Sequence, residues 1–337
     1  MRRRFGRRVV RWGAGWGLLL LTVVAEPCGA ANPKSGKDDS TGEALSSAWS
    51  AAERRAFRCG LGSIGRRNAE ATGRFLASEE MGGRGAGSVE GRIAGRYIVA
   101  ELERMGYEAG RIAEQQFTGR GGEALRNVLV TVPGRDTVRW VVVGAHFDHE
   151  GIKNGVVYPG ADDNASGVAV LLELARAARA AEAAGRRPEF TVVLAFWDGE
   201  ERGLLGSRHY VAELGADTAA VAGYVNFDMV GRNTDQGRPK LCRYFYTADR
   251  PELRAWFDES VAAGGLVHLE ADYRPCDRTI GGSDNASFAR VGVPIVWYHT
   301  DGHPDYNRPT DTPDRINYPK LVDIARSAWY VICRLAY

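Results

Sequence analysis

Apolar residues in this chain fall into runs that alternate with segments of helical periodicity. Four runs are almost unbroken, as expected for strands that are covered on both faces. They lie in VRWVVVGAHFDHEG, FTVVLAFWDGEERG, VAGYVNFDMVG and VPIVWYHT, which begin at residues 138, 190, 221 and 293. A further run, LRNVLVTVPG from residue 125, predicts a strand that ends in a Pro-Gly turn.

Apolar residues at helical spacing predict helices before and between these strands. GRIAGRYIVAELERMGY predicts an amphipathic helix that ends at Gly106, and ASGVAVLLELARAARAAEAAG predicts one that ends at Gly185. The same spacing occurs in GSRHYVAEL, PELRAWFDESVAAGG and YPKLVDIARSAWYVICRLAY. This alternation predicts a doubly wound α/β fold, with a mostly parallel central sheet and helices on both faces. We expect one domain over residues 49–337, since no repeat or composition break divides it.

The first 48 residues differ in composition from the rest. Residues 1–30 combine a basic leader, the short apolar run LLLLTVVA and small residues at Val23-Val24-Ala25 or Cys28-Gly29-Ala30, which is typical of an export signal. The apolar run is too short to span a bilayer. Residues 31–48 are small and polar, which predicts a disordered spacer. We therefore expect a periplasmic or extracellular protein, with lipid anchoring at Cys28 as a weaker alternative.

Charge and cysteine content narrow the possible functions. The formal charge is +2, from 44 basic and 42 acidic residues, and six of the basic residues are arginines in the first eleven positions. The remainder is mildly acidic, which does not indicate a nucleic-acid surface. Four cysteines follow the leader without the spacing of a zinc ribbon. We interpret them as buried thiols, with a Cys242–Cys276 disulfide as the alternative.

Polar side chains cluster where the four buried strands end. Ligands of open parallel sheets bind beyond the carboxyl ends of the strands. Many carboxylates on one edge repel each other unless cations compensate them. The clusters are His146-Phe147-Asp148-His149, Asp162-Asp163, Asp198-Gly199-Glu200-Glu201, Asp228 and the loop YHTDGHPDYNRPTDT over residues 298–312. This set predicts a site for two divalent cations bridged by a carboxylate, in which one of two adjacent glutamates binds metal and the other acts as a base.

The motifs resemble those of the co-catalytic zinc aminopeptidases, which share their catalytic domain with zinc carboxypeptidases and glutamate carboxypeptidase. The resemblance covers residues 75–337 and is carried by AHFDHEG, GADDNASGVAVLLELAR, FWDGEERGLLGSRHY, NFDMVGRN, GGSDNASF and DYNRPTDTPDRINY. It implies a zinc exopeptidase fold and the removal of N-terminal residues from peptides with two zinc ions. Family members often have a cis peptide bond after the bridging aspartate, here Asp163-Asn164.

The resemblance also implies a role for each matching residue. The implied roles are His146 and Asp228 as ligands of one zinc, Asp163 as the bridge, Glu201 as ligand of the other zinc, Glu200 as general base and Asp148 as the residue that orients His146. A metal-bound imidazole normally needs such an orienting partner.

Asn307 departs from the family pattern. It stands where the family has the histidine that completes the zinc site of Glu201, and an amide oxygen is a weaker zinc ligand than imidazole. We therefore expect one firmly bound zinc ion and one that is weak or absent. A loop shift could bring His303 into the second site, whereas His299 is expected to be structural or to face substrate.

These residues predict an exported, zinc-dependent metallo-aminopeptidase that acts on peptides. Retention of Glu200 favours activity over binding alone. One alternative is an impaired relative that binds peptides without cleaving them, supported by Asn307. The other is a glutaminyl cyclase, which uses this fold with one zinc and a similar DGEE segment. The sequence leaves side-chain specificity and oligomeric state open.

Overall fold

The computed structural model describes residues 49–234 and 237–337. The predicted export signal and the spacer lie outside these ranges. The helices are α1 (Ala51–Ser63), α2 (Arg66–Leu76), α3 (Val89–Arg104), α4 (Gly167–Ala183), α5 (Leu205–Leu214), α6 (Glu252–Gly264), α7 (Asn285–Ala289) and α8 (Tyr318–Ala336). The strands are β1 (Ile112–Thr118), β2 (Ala124–Val132), β3 (Asp136–His146), β4 (Ile152–Lys153), β5 (Val156–Val157), β6 (Phe190–Trp197), β7 (Val221–Phe227), β8 (Leu241–Thr247), β9 (Glu270–Cys276) and β10 (Ile295–His299).

Eight of the strands form one mixed sheet in the order β1-β2-β6-β3-β7-β10-β8-β9. Its four central strands, β6, β3, β7 and β10, are mutually parallel neighbours. The flanking strands β2 and β8 pair antiparallel with β6 and β10. The four apolar runs of the sequence are therefore adjacent, their carboxyl ends share one edge of the sheet, and the predicted α/β fold is confirmed.

The side chains of β3 alternate between two hydrophobic clusters, one on each face of the sheet. Val141 and Val143 belong to the cluster that includes apolar residues of α4 and α8. Val142 belongs to the other cluster, which includes apolar residues of α5 and α7. Because both faces are covered, the strand needs no polar alternation, which explains its unbroken apolar sequence.

Most predicted elements are present, and several further elements were missed. Helix α3 is followed by Gly106 and α4 by Gly185, both with positive φ, which agrees with the predicted ends. Helices α1, α2 and α7 and strands β1, β4, β5, β8 and β9 were not predicted. Strand β1 has no fully buried residue, so it carries no strong apolar signal. Cys242 and Cys276 form no disulfide, so the interpretation as thiols is the one that agrees with the structure.

None of the helices described for residues 49–234 and 237–337 is long and apolar enough to cross a bilayer.

Candidate metal centre

The last residue of β3, His146, lies at the centre of a buried polar group. Its side chain is 1% exposed, and its Nε2 atom is 3.3 Å from Oδ1 of Asp163 and 3.4 Å from Oδ1 of Asp228. Asp163 lies in the turn before α4, and Asp228 directly follows β7. The sheet thus brings together three residues that the sequence predicted as ligands of one metal ion.

A second group lies beside the first and shares Asp163. Nδ1 of His149 is 2.8 Å from Oε1 of Glu201 and 3.7 Å from Oδ2 of Asp163. Asp163 and Glu201 are ligands predicted from the sequence, whereas His149 had no predicted role. The available signal was a second histidine three residues after His146, at the end of the same strand.

Both groups have the donor atoms of a zinc site. In each, one histidine and two carboxylates offer ligand atoms that all lie within 4.8 Å of one another. Among the described residues, Nε2 of His146 and Oδ1 of Asp228 are buried without a hydrogen-bond partner. A buried polar atom left unpaired costs about 1–3 kcal/mol. Imidazole and carboxylate are ordinary zinc ligands, so a divalent cation fits this set and would satisfy the orphaned atoms.

The turn that carries Asp163 is held from two sides. The carboxylate of Asp311 accepts hydrogen bonds from the backbone N–H groups of Asp162, at 2.9 Å, and Asp163, at 3.2 Å. The side chain of Asn164 donates to the carbonyl of Phe227 at 2.9 Å. The peptide bond between Asp163 and Asn164 is cis, as predicted. These contacts fix the carboxylate of Asp163 between the two groups.

Asp148 positions the two glutamates. Its carboxylate accepts hydrogen bonds from the backbone N–H groups of Glu200, at 3.0 Å, and Glu201, at 3.3 Å. The role predicted for Asp148 from the sequence was to orient His146. In the structure Nδ1 of His146 is 3.1 Å from the backbone oxygen of Asp148 and 3.7 Å from its carboxylate. The backbone oxygen is therefore the nearer partner of the imidazole, and the carboxylate fixes the glutamate turn.

Burial and mutual repulsion shift the pKa values of these acids. Burial raises the pKa of Glu200 well above its ordinary value and that of Glu201 to about 7. Burial, followed by repulsion from Glu201, raises the pKa of Asp163 to about 6. For Asp228, burial is the largest single influence and acts to raise the pKa, but attraction and hydrogen bonding to His146, with smaller contributions from His299 and Ser283, together lower it. Such a concentration of perturbed carboxyl groups marks a functional site.

Burial also keeps the second imidazole neutral. The pKa of His149 is lowered, chiefly because its charged form would lose hydration, although Asp163 acts in the opposite direction. A neutral imidazole is the form that binds metal.

Arg84 joins the segments around the site, and no sequence motif indicated it. It is fully buried, and its guanidinium donates to the backbone carbonyls of Phe147 at 2.9 Å, Pro159 at 2.7 Å and Gly160 at 2.9 Å. It also donates to the carbonyl of Leu76 at 2.5 Å. This fork connects the end of β3 to the turn that carries Asp163. Its positive charge also lies close to an acidic cluster.

A cavity of about 250 Å³ opens beside the first group. Its lining residues are Asp163, Glu200, Asp228, Met229, Gly282, Trp297, His299, Gly302 and Tyr306. Nδ1 of His299 is 2.7 Å from the backbone oxygen of Asp228, and its ring centroid is 4.6 Å from that of Trp297. Both roles expected for His299 therefore agree with its position, since it contacts the end of β7 and lines the cavity.

The loop after β10 carries the two other candidate ligands, Asn307 and His303. Asn307 has φ of 52°, and its Oδ1 atom is buried without a hydrogen-bond partner among the described residues. His303 is buried, and its Nε2 atom is 3.3 Å from Oδ2 of Asp162. His303 therefore faces Asp162, behind the bridging carboxylate, rather than Glu201.

Comparison with known proteins identifies the family and the fold of this chain. A model of the protein family described as Peptidase family M28 matches residues 127–332, which includes every candidate ligand. The structure of LapA from Legionella pneumophila superimposes with a TM-score of 0.69 at 23% identity, covering 84% of this chain and 77% of LapA. This likeness shows a shared fold.

Two curated relatives share part of the sequence. Leupeptin-inactivating enzyme 1 of Streptomyces exfoliatus is 30% identical over 224 residues, which cover 65% of this chain and 45% of that protein. The probable lipoprotein aminopeptidase LpqL of Mycobacterium tuberculosis is 40% identical over 229 residues, which cover 58% of this chain and 42% of LpqL. The chain thus spans less than half the length of these relatives.

Proposed function

The chain belongs to peptidase family M28, and from this premise we propose that it is an exported, zinc-dependent aminopeptidase. The observation that carries the proposal is the cavity in which Glu200 lies with Asp163 and Asp228. It places a buried carboxyl group with a raised pKa beside two predicted metal ligands. A metal ligand set and an adjacent general base are the two parts that hydrolysis of a peptide bond requires.

In this proposal Glu200 moves one proton. Zinc in such a site supplies Lewis acidity, which polarises the substrate carbonyl and makes water a nucleophile at neutral pH. Glu200 accepts the proton of the attacking water and delivers it to the nitrogen of the leaving amine, as the C–N bond breaks. A raised pKa suits this role, because the carboxyl group can hold the proton at neutral pH between the two transfers.

The cavity also suits a peptide with a free N-terminus. Its carboxylates attract the ammonium group of the first residue, and Met229, Trp297 and Tyr306 offer apolar surface for that residue's side chain. Tyr306 is 46% exposed and lies in the loop after β10, at the cavity. We therefore expect release of single N-terminal residues and no cleavage of peptides whose amino group is acetylated.

Export is the second part of the proposal. It rests on the basic and apolar leader within residues 1–30 and on the relative named as a probable lipoprotein aminopeptidase. Fractionation of cells that express the full chain, with activity measured in each fraction, tests it. Activity confined to the cytoplasmic fraction would contradict export.

The test of catalysis compares Glu200→Gln with the wild type. We expect the variant to keep its zinc and to lose a factor of about 10²–10⁴ in the rate of hydrolysis of aminoacyl-p-nitroanilides, since the base is removed. Glu213→Gln, at an exposed position of α5, is the matched control and should retain the wild-type rate.

Two results would contradict this assignment. Loss of zinc in Glu200→Gln would mean that the roles of Glu200 and Glu201 are exchanged. Cyclisation of an N-terminal glutamine substrate, without hydrolysis of any peptide, would favour the glutaminyl cyclase alternative.

A further inference from the structure

The second metal group raises the question of which residue replaces the histidine that Asn307 lacks. We propose that His149, from the loop after β3, completes a second zinc site with Glu201 and Asp163. This inference rests on the proposed zinc-dependent function. It replaces the expectation, from sequence, of a single firmly bound zinc ion.

The two groups have the same donor chemistry. Each contains one imidazole, one carboxylate of its own and one oxygen of Asp163. Oδ1 of Asp163 lies 3.3 Å from Nε2 of His146, and Oδ2 lies 3.7 Å from Nδ1 of His149. The bridging carboxylate therefore presents one oxygen to each imidazole. Both sets offer the imidazole and carboxylate donors that zinc binds, so the donor chemistry that suits the first group suits the set around His149 equally.

The position of His149 is built into the fold. The residue is 2% exposed, and its backbone N–H donates to the carbonyl of Arg84 at 3.2 Å. Gly160 has φ of 57°, and a Cβ atom there would lie 2.4 Å from Cδ2 of the imidazole. Only glycine leaves room for the ring at this point. The guanidinium of Arg84 holds the carbonyl of Gly160 at 2.9 Å, which keeps the turn closed on the imidazole.

The other two candidates are less suitable. His303 faces Asp162, whose other oxygen, Oδ1, accepts from the backbone N–H of Gly231 at 2.6 Å. Bringing His303 to Glu201 would break this buried arrangement. Asn307 offers only an amide oxygen, which is a weaker donor to zinc than imidazole. His149 already lies beside the other ligands, with its Nδ1 atom 2.8 Å from the carboxylate of Glu201.

In this proposal the histidine ligand of the second site comes from a different segment than in the family. The family's histidine belongs to the loop after β10, whereas His149 belongs to the loop after β3 and lies close in sequence to His146. Both imidazoles then come from a single strand end. The loop that carries Asn307 and Tyr306 is released from metal binding and only lines the cavity.

The test measures zinc per chain by elemental analysis after equilibration at fixed free zinc. We expect about two ions per chain for the wild type and about one for His149→Ala. His303→Ala and Asn307→Ala are the matched controls in the neighbouring loop and should both retain two. Asn307→His in the His149→Ala background should restore the second ion, because it returns the imidazole from the family's position.

Each other outcome would overturn the inference. One ion in the wild type, or two in His149→Ala, would mean that His149 is not a ligand. Loss of an ion in His303→Ala or Asn307→Ala would assign the ligand to the loop after β10. If circular dichroism shows that His149→Ala does not fold, His149→Gln takes its place. Loss of the second zinc ion is then measured in His149→Gln, and its restoration in the double variant that combines His149→Gln with Asn307→His.

The readout separates this inference from the proposed function. If the zinc contents of the wild type and the variants are as predicted but no peptide is hydrolysed, the second zinc site is supported and the aminopeptidase proposal is rejected. If peptides are hydrolysed but His149→Ala retains two zinc ions, the role of His149 in the second site is rejected and the aminopeptidase proposal is supported.

Discussion

Lys320 shows how one buried charge supports the segments behind the site. The residue is 1% exposed, and its Nζ atom donates to the carbonyls of Arg232 at 2.6 Å and Leu241 at 3.2 Å. Arg232 in turn donates to Asp305 at 2.6 Å and lies 3.6 Å from Asp311, whose carboxylate holds the turn of Asp163. Burial lowers the pKa of Lys320 to about 8.

This lowered pKa predicts a specific dependence of stability on pH. Between about pH 8 and 10.4 the folded chain binds fewer protons at this residue than the unfolded chain, so the free energy of unfolding rises with pH, by at most about 1.4 kcal/mol per unit. Relative to Lys320→Met, the wild type should gain about 2 kcal/mol between pH 8 and 10 in urea unfolding. Lys153→Met, at a surface ion pair, is the control and should show no such difference from the wild type. Parallel pH profiles for wild type and Lys320→Met would contradict the prediction.

His149 and Arg84 show what single residues contribute beyond motifs. His149 lies within the motif AHFDHEG but had no predicted role. An arginine outside every motif proved to join four backbone carbonyls next to the site. Both roles depend on residues distant in sequence.

Helix α1 illustrates packing at the scale of elements. Gly60 faces α8, where a Cβ atom would lie 2.6 Å from Cε2 of Trp329. The indole of Trp329 is fixed there, because its Nε1 donates to the carbonyl of Phe57 at 3.1 Å. Gly62, in the same helix, has nothing within 4 Å of the equivalent position. Trp329 therefore packs directly against the backbone of α1 at Gly60, where any side chain would collide with it.

This contrast predicts opposite effects for two similar substitutions. Gly60→Ala overpacks the contact between α1 and α8 and should reduce the free energy of unfolding by about 1–3 kcal/mol. Gly62→Ala should increase it by about 0.5–1 kcal/mol, because alanine is the better helix former and meets no obstacle. Chemical denaturation of both variants measures this. Equal effects of the two substitutions would show that the helices do not pack as described.

At the scale of the whole molecule, the acidic cluster links metal content to stability. Burial and repulsion raise the pKa values of Asp163 and Glu201. Holding these carboxyl groups together in their charged form therefore destabilises the folded chain. A cation that binds only the folded state stabilises it, by about 4 kcal/mol at a thousand times its dissociation constant. For a domain of this size that corresponds to roughly 7 °C in Tm.

Removal of zinc should therefore lower Tm by roughly 5–10 °C, and its return should restore it. The measurement is thermal unfolding by circular dichroism, before and after chelation and dialysis. Magnesium in place of zinc is the control and should restore less, since it dehydrates reluctantly and prefers oxygen ligands. An unchanged Tm would mean that the cluster is stable without a cation.

The sequence by itself determined the central part of the fold. Unbroken apolar runs identified β3, β6, β7 and β10, because strands covered on both faces must be apolar throughout. The edge strands β1 and β9 escaped prediction, because they have no fully buried residue and resemble loops. Strand β8, which lies inside the sheet and alternates buried with half-buried residues, was also missed. The sequence could also place His146, Asp163, Glu201 and Asp228 at one edge, since parallel strands end together.

Only the tertiary structure decided what completes the second group. The local pattern around His149 is the same whether its ring points to solvent or to a carboxylate. Its direction follows from Gly160, Arg84 and Glu201, which come from three other segments and meet it only in the folded chain. The sequence therefore determined which chemistry gathers at the sheet edge, and the packing of distant segments decided which side chains share each metal position.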